Sequence, residues 1–393
     1  MGTSLLHKRV LVTDGYWRKS LAVVRALSKK GLKVDIGERT VFSTALFSAK
    51  AYSRHVYPSV KKQPVAFLSW LEKLIATNKY DVLIVPEEET SLLVAKNREH
   101  LSQFIKIPMA DYETIRFVRN KSSLLAHAQK VGIALPATKP ISSFGDIYDF
   151  ISLIGYPFVL KPIIGTGSHG IRYIRNKESL DALNGNILLR YKSFLMQEFI
   201  PGEKHFGVSV IFNKNNEMRS AFVHQKLRQY PTTGGVSTYA VSVKYPRLVE
   251  ITEHLLKTIG WYGIANIEYK IDARNNIPKL MEVNPRFWGS LQLAISSGIN
   301  FPYLLYKLGV NGDVKPKFDY KIGVKFRWIM QGDLMHFFSK LLQRRNIDPR
   351  FFKIHEKNLC HAIGSCSDPL PILGKILTLG DFLTNTEMRR FYD

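Results

Sequence analysis

Residues Phe158 to Ile174 read FVLKPIIGTGSHGIRYI. An apolar strand ends at Lys161-Pro162, a loop carries Gly165, Gly167 and Gly170 as G-x-G-x-x-G, and a second short strand follows. A dinucleotide-binding turn needs a helix after its glycines, because the helix N-terminus receives the pyrophosphate. Here the glycines lead into IRYI, a strand, and the motif lies near the middle of the chain. A Walker loop needs G-x-x-x-x-G-K-[ST], which is absent. A protein-kinase loop is also a hairpin, but its lysine comes on a later strand, whereas Lys161 precedes the glycines. What remains is a strand–Lys–loop–strand hairpin. Its glycines permit close backbone approach and positive φ, so its N–H groups can meet phosphate oxygens. Lys161 at the strand end would aim its ammonium at the α and β phosphates. His169, in the tip, reads as a solvent-facing loop residue.

Upstream, RVLVT (Arg9 to Thr13) is a buried strand ending at Asp14-Gly15. Ser20 to Lys30 has helical periodicity and stops at Gly31; Leu32 to Ile36 and Asp81 to Pro86 are further strands, the last followed by Glu87, Glu88 and Glu89. Strand, helix, strand in this order predicts a parallel sheet with crossover helices, placed at residues 1–115. A helix from Asn120-Lys121 through Gln129 and an extended, proline-marked linker (Gly132 to Pro140) lead to a helix at Asp146 to Ile154 and then to the glycine hairpin. Downstream, strands are expected at Phe194–Phe199, Phe206–Phe212, Arg219–Gln225, Tyr239–Lys244, Gly263–Ile271 and Pro278–Val283, mostly antiparallel, with a helix at Leu248–Ile259. Beyond residue 310 the pattern is helical, basic and aromatic.

The ordered motifs resemble the ATP-grasp superfamily, in the branch with biotin carboxylase and carbamoyl phosphate synthetase, over residues 1 to 310. In that family a first lysine opens the A subdomain, and Lys121 in RNKSSL matches it, with Asn120 where Asp is more usual. Lys161 matches the second lysine, and Gly165, Gly167, Ser168 and Gly170 fall in the glycine loop after it. MQEFIPGEKHFGVSV, Met196 to Val210, matches the strand that binds adenine and ribose. The resemblance implies that the backbone of Glu198, Phe199 and Ile200 meets the adenine edge. It leaves the ribose hydroxyls to either Glu203 or His205.

A second signal is Glu268 together with MEVNPR at Met281 to Arg286. The strands ANIEYKI and PKLMEVN flank a turn at Ala273 to Asn276, so hairpin pairing can set Glu268 beside Glu282. Side chains repeat every two residues, which puts Glu282 and Asn284 on one face. Those three oxygen-bearing side chains suit Mg²⁺, which takes hard oxygen ligands, waters and phosphate oxygens. Arg286 falls two further on, ready for a transferring phosphoryl group or an acyl phosphate. Two acids on a solvated hairpin would not explain why this ladder runs into Phe287, Trp288 and Leu291. Between two other strands, Thr232 to Gly235 with Ser237 and Thr238 forms an anion-friendly loop. In the family this region lies over the phosphate site and receives a carboxylate. Lys226, Arg228, Gly234 and Gly235 are therefore the expected substrate contacts, in a pattern similar to a group of carboxylate–amine ligases of undefined substrate.

The 393 residues are 45% hydrophobic and 22% charged, enough for two or three domains with a core. Lysines and arginines number 56 against 32 acids, a net charge of +24, which favours anionic partners. The basic residues are scattered, and no RNA-recognition, zinc-finger or helix-turn-helix pattern occurs. Cys360 and Cys366 fit neither a zinc knuckle nor a C-x-x-C pair and read as ordinary thiols. No signal peptide, myristoylation pattern or long apolar run is evident, so a cytoplasmic protein without a membrane span is expected.

The expected fold class is α/β and α+β: an ATP-grasp fold with an N-terminal Rossmann-like pre-grasp domain (1–115), an A/B subdomain with the glycine-rich loop (116–190), a C-terminal grasp subdomain with the metal site (191–310), and a basic helical C-terminal extension (311–393). The expected reaction joins a carboxylate to an amine through an acyl phosphate, releasing ADP and phosphate. The expected cofactors are ATP and Mg²⁺, with Mn²⁺ as the substitute. The expected partners are small or peptide-like carboxylates and amines, without nucleic acid, and homodimerisation is left open. The rival readings are a bicarbonate- or biotin-type carboxylase, a nucleotide-sensing protein without turnover, and a binder of anionic surfaces that uses the charge.

Overall fold

Four short strands at the start of the chain, β1 (Arg9–Val12), β2 (Lys33–Glu38), β3 (Ser53–Val56) and β4 (Val82–Ile84), form a parallel sheet in the order β3-β2-β1-β4. Val10, Leu11 and Val12 are fully buried, as expected of a strand covered on both faces. The first crossover helix, Arg18–Ser28, buries Leu21, Val23, Val24 and Leu27 and ends before Gly31, whose positive φ turns the chain into β2. The computed structural model describes residues 7–165, 170–183, 193–342, 351–352 and 356–384.

A second sheet is small and antiparallel. β5 (Thr138–Pro140), β6 (Phe158–Pro162), β7 (Arg172–Ile174) and β8 (Phe194–Glu198) lie in the order β5-β8-β6-β7. The helix Phe144–Ile154 covers it, with Ile147 and Phe150 packed on Phe158, Leu160, Ile174 and Met196. Ser143 and Asp146 start that helix with reciprocal capping bonds. The proline-marked linker thus contains a short edge strand, β5, which pairs with β8.

The third and largest sheet has seven strands: β9 (His205–Phe212), β10 (Met218–Tyr230), β11 (Val236–Val243), β12 (Gly263–Ile271), β13 (Pro278–Asn284), β14 (Lys325–Arg327) and β15 (Leu359–His361). Their order is β13-β12-β9-β10-β11-β14-β15. Val208, Val210 and Phe212 point into one core with Leu248, Leu255 and Leu256 of the helix Pro246–Ile259. Ile211, Phe222, Ala240 and Ile264 point into the other, against Leu291, Phe301 and Leu308. That second core also holds Val10, Val12, Leu21 and Val24, so the parallel sheet and the seven-stranded sheet share one apolar interior. At the typical gain of ~25 cal/mol per Å² of apolar surface buried, this shared interior is a strong reason for the two sheets to keep one mutual orientation.

The segment beyond residue 310 is helical only in part. β14 pairs antiparallel with β11, and β15 pairs parallel with β14, so this segment extends the central sheet. Three-residue strands are too short to show a period of two, and the edge that captures them, β11, lies about ninety residues upstream.

Candidate active site

The small antiparallel sheet and the seven-stranded sheet face each other across one cleft. Its lining includes Lys121, Lys161, Gly165, Tyr173, Glu198, Phe199, Ile200, His205, Lys226, Gly234, Gly235, Lys270, Glu268 and Glu282. The space within it is about 860 Å³, part of it open to solvent.

One wall is the hairpin of β12 and β13. Glu268 is the register partner of Glu282, and Asn266 of Asn284. The Asn284 amide donates to Glu282 Oε1 at 3.0 Å, and the neighbouring Asn266 amide donates to Ser209 Oγ at 3.0 Å. In β12 the side chains of Ala265, Ile267, Tyr269 and Ile271 fill the core, which leaves Glu268 and Lys270 for the cleft. Burial lifts the Glu268 carboxyl above its ordinary range, against the pull of Lys226. Burial would lift Glu282 as well, but Lys121, the Asn284 amide, Lys226 and Lys161 outweigh it and hold that carboxyl below the usual range. Among the described residues there is no group of three His, Cys, Asp or Glu suited to a metal. Two carboxylates and an amide oxygen nonetheless fit a hard cation such as Mg²⁺ when phosphate oxygens and water complete its shell.

The facing wall carries Lys121 and Lys161, and Lys226 reaches in from β10. Asn120 caps the helix Lys121–Lys130 by accepting from Ser123 N at 3.1 Å, which places Lys121 at the first position of the helix. Lys121 Nζ donates to Gly165 O at 2.8 Å, and its backbone N–H to Ile163 O at 3.0 Å, so it holds the near end of the glycine loop. Lys161 is buried on β6; burial, then the charge of Lys121, push its ammonium down to about 8. Lys226 Nζ donates to Glu268 Oε2 at 2.7 Å and to Gly235 O at 3.1 Å. Four lysines, Lys121, Lys161, Lys226 and Lys270, therefore line this cleft with three glutamates, Glu198, Glu268 and Glu282, and the surplus is positive.

The glycine hairpin and the loop between β10 and β11 touch. Tyr173 Oη donates to Thr233 O at 2.7 Å. A Cβ on Gly234 would come within 2.9 Å of that hydroxyl, which can shift, whereas one on Gly235 would come within 2.2 Å of the Tyr230 carbonyl oxygen, so Gly235 demands glycine. Gly170 has φ of +74°, as a hairpin return permits for glycine. Gly167, Ser168 and His169 lie outside the described residues.

The strand β8 brings Glu198, Phe199 and Ile200 to the cleft. The Glu198 backbone N–H donates to Ala137 O at 2.8 Å, while its carboxylate accepts from Ala137 N at 3.1 Å and from Arg274. Phe199 lies under the Lys270 ammonium, 4.9 Å from the ring centre, and edge-on to Tyr173. His205 lines the cleft and is pushed down to about 3 by burial and then by Lys226 and Lys270, so its imidazole is neutral. Glu203 is exposed in the turn before β9 and is not among the residues that line the cleft.

Two expected residues take other positions. Arg228 does not reach the cleft. It is only 2% exposed, and its Nε and Nη2 donate to Asp333 Oδ1 and Oδ2 at 2.6 and 2.7 Å. Arg327 binds the same carboxylate at 2.6 Å. In a regular strand Lys226 and Arg228 would share a face, but the pairing of β10 with β11 shifts register on both sides of Arg228. Arg286 is near the hairpin carboxylates, but its Nε lies 3.5 Å from Glu88 Oε2 in the N-terminal sheet region, and Nη1 donates to Phe287 O at 3.0 Å. Glu88 also accepts from Arg119, and Glu87 pairs with Lys19. Sequence reasoning gives these acids no role, although the run Glu87–Glu89 after β4 is the signal for them. Beside them Asp14, Glu38, Tyr16, Trp17 and Tyr57 line a second cavity that reaches Ile164 and Gly165 of the glycine loop. Burial lifts Glu38 to about 7 and Asp14 to about 6.

A family model described as ATP-grasp in the biosynthetic pathway with Ter operon matches residues 190–331, which contain the Glu268–Glu282 hairpin and Lys226. D-aspartate ligase from Enterococcus faecium is 22% identical over 273 residues, a match covering 64% of this chain and 65% of that one, just under two thirds of the relative's length. Biotin carboxylase from Campylobacter jejuni, solved with β-γ-ATP, superposes with a TM-score of 0.67 at 17% identity, covering 81% of this chain and 74% of that one. L-amino acid ligase from Bacillus licheniformis superposes with a TM-score of 0.60 at 17% identity, covering 80% and 78%.

Proposed function

We propose that this chain, which has the ATP-grasp fold, is an ATP-dependent ligase that joins a carboxylate to an amine through an acyl phosphate, releasing ADP and phosphate. The observation that carries the proposal is the confrontation of Lys121 and Lys161 with the in-register pair Glu268 and Glu282 across one cleft. A positive surplus attracts a polyphosphate, and two half-buried carboxylates prepare a place for its divalent counter-ion. The likeness to D-aspartate ligase and to L-amino acid ligase supports the choice of a carboxylate and an amine as substrates.

In this reading the adenine lies against the backbone of Glu198, Phe199 and Ile200, between Phe199 and the glycine hairpin. The neutral His205, rather than the exposed Glu203, faces the ribose. Lys121 and Lys161 hold the phosphates from one side, and the hairpin that carries Gly165 and Gly170 covers them. Glu268, Glu282 and Asn284 would hold Mg²⁺, or Mn²⁺ in its place, and the ion supplies charge neutralisation at the transferring phosphoryl group. Lys226, Gly234 and Gly235 receive the substrate carboxylate beside that group. The carboxylate oxygen attacks the γ-phosphorus and ADP leaves; the amine nitrogen then attacks the acyl carbon, phosphate leaves, and the amine loses a proton. Arg286 stabilises charge on the acyl phosphate. The chain supplies positioning and fixed charge rather than a covalent nucleophile.

The test is the product pattern. Amino acids, D-aspartate among them, and acidic metabolites are screened as the carboxylate with ATP, Mg²⁺ and an amine. A turned-over carboxylate should release ADP and phosphate, give a hydroxamate with hydroxylamine, and pass heavy-oxygen label from its carboxylate to the released phosphate. AMP and pyrophosphate as products would overturn the mechanism.

A further inference from the structure

The helix Leu334–Leu342 reads LMHFFSKLL. Its exposed residues are Leu334, Met335, Phe338, Leu341 and Leu342, the last 86% exposed. Their spacing of one, four, seven and eight positions from the first puts all five on a single stripe of the helix. The orientation is held from the other side. His336 is buried, and its Nδ1 meets the Gln229 carbonyl of β10 at 2.8 Å. Phe337 packs on Phe351, ring centres 4.6 Å apart, and on Phe352, at 5.7 Å. Phe352 is itself 75% exposed and extends the apolar surface. The helix therefore turns its apolar stripe outward, away from the protein it is docked on. A contiguous apolar surface of this kind marks an interaction site rather than ordinary scatter.

Charge decides what kind of surface fits. The whole chain carries +24. Lys357, after the helix, is exposed. Two copies meeting through this stripe would bring two strongly positive molecules together. Nucleic acid would use the charge but not five apolar side chains held out on a helix. A surface that is anionic outside and apolar beneath uses both, which is how an interfacial helix binds. Among the described residues no helix is long and apolar enough to cross a membrane, so the helix lies on such a surface rather than through it.

We propose that the outward apolar stripe of the helix Leu334–Leu342, with Phe352, seats this protein on the surface of an anionic lipid bilayer. The stripe is separate from the nucleotide cleft, so the proposal stands apart from the ligase reading and fails separately from it.

The test is co-sedimentation of the full chain with mixed phosphatidylcholine–phosphatidylglycerol vesicles and with pure phosphatidylcholine vesicles. Binding to the anionic vesicles should be stronger by roughly tenfold or more and should weaken with added salt. Phe338→Gln with Leu342→Gln should cut it by roughly tenfold, since both side chains would leave the acyl boundary. The melting temperature of that variant and its ATP affinity should match the parent; Leu342→Gln alone, at the most exposed position, keeps the test open if the double variant unfolds. Equal vesicle binding by parent and variant, no vesicle binding by the parent, or a concentration-dependent dimer that the same substitutions dissolve would each overturn the proposal. The last result would assign the stripe to a second copy.

Discussion

Glu268 on β12 stands opposite Glu282 on β13, and the Lys226 ammonium 2.7 Å from Glu268 lets two half-buried carboxylates share that place. The two are not equivalent. Burial raises Glu268, while Lys121, Asn284 and the other lysines keep Glu282 ionised. Any proton held by the pair therefore resides on Glu268, and Glu282 is the stronger ligand for a cation.

Glu282→Gln should accordingly lower turnover by on the order of 100-fold or more, while ATP affinity changes by less than about tenfold. The lysines and the glycine hairpin still hold the phosphates, but the cation loses its ionised ligand. Steady-state turnover at saturating Mg²⁺, set beside calorimetric ATP binding, checks this. Near-normal turnover would remove Glu282 from the cation site.

Lys161→Met should weaken ATP binding by roughly 10- to 100-fold, the worth of about 1.5–3 kcal/mol for a hydrogen bond to a charged group. The pH dependence gives a second readout. Lys161 has its ammonium pushed down to about 8, so its charge is present below that pH and lost above it. ATP affinity of the parent should fall as pH rises through about 8, with proton uptake on binding there, and the variant should lack this step. Calorimetry in two buffers of different ionisation enthalpy measures both; a variant that keeps the step would show that another group titrates.

Arg228→Met should cost stability rather than substrate affinity. Removing one member of a buried ion pair leaves Asp333 with Arg327 alone and typically costs about 3–5 kcal/mol. Denaturant unfolding should show that loss, while the KM of the folded variant for its carboxylate stays within about twofold. A selective rise in KM with unchanged stability would return Arg228 to the substrate site.

Glu38 should give the protein a pH-dependent stability. Burial raises its carboxyl to about 7, so the folded state binds its proton more tightly than the unfolded state does. The contribution is complete below the ordinary carboxylate range and is lost as pH rises toward about 7. A shift of this size corresponds to about 3 kcal/mol across that window. Glu38→Gln should flatten the slope of unfolding free energy between pH 5 and 7 by an amount of that order. The slope is the measurement, since Gln also loses one of the two carboxylate oxygens that accept the Tyr16 and Arg39 N–H groups. An unchanged slope would place the titration elsewhere.

Local chemistry makes much of the site legible in the chain itself. An Ala-Asn-Ile-Glu-Tyr-Lys-Ile run and a Met-Glu-Val-Asn-Pro-Arg run joined by a short turn can pair in few ways. A period of two then puts Glu268 beside Glu282, as the register has it. The strand–Lys–glycine–strand order around Lys161 likewise excludes a helix after the loop, and β7 follows it. Lys121 is reached only through resemblance, because nothing within its own helix points to the Gly165 carbonyl 44 residues away.

The sequence by itself determined the longer elements and their faces, since hydrophobic period and turn residues act over a few neighbours, but not the three-residue strands β5, β14 and β15. Only the tertiary structure decided which charges meet. Arg228 is indistinguishable from Lys226 as a cation on one strand, until a register shift turns it to Asp333, 105 residues on. Arg286 follows β13 and Glu88 opens the helix after β4, and their approach depends on how the parallel sheet settles against the central one. The amphipathic spacing of LMHFFSKLL marks a stripe but not the side on which the protein lies; His336 and Phe337, anchored on Gln229 and Phe351, settle that by turning the stripe to solvent. Coulomb energy and burial depend on distance in space, and chain spacing fixes that distance only inside a helix turn or a hairpin.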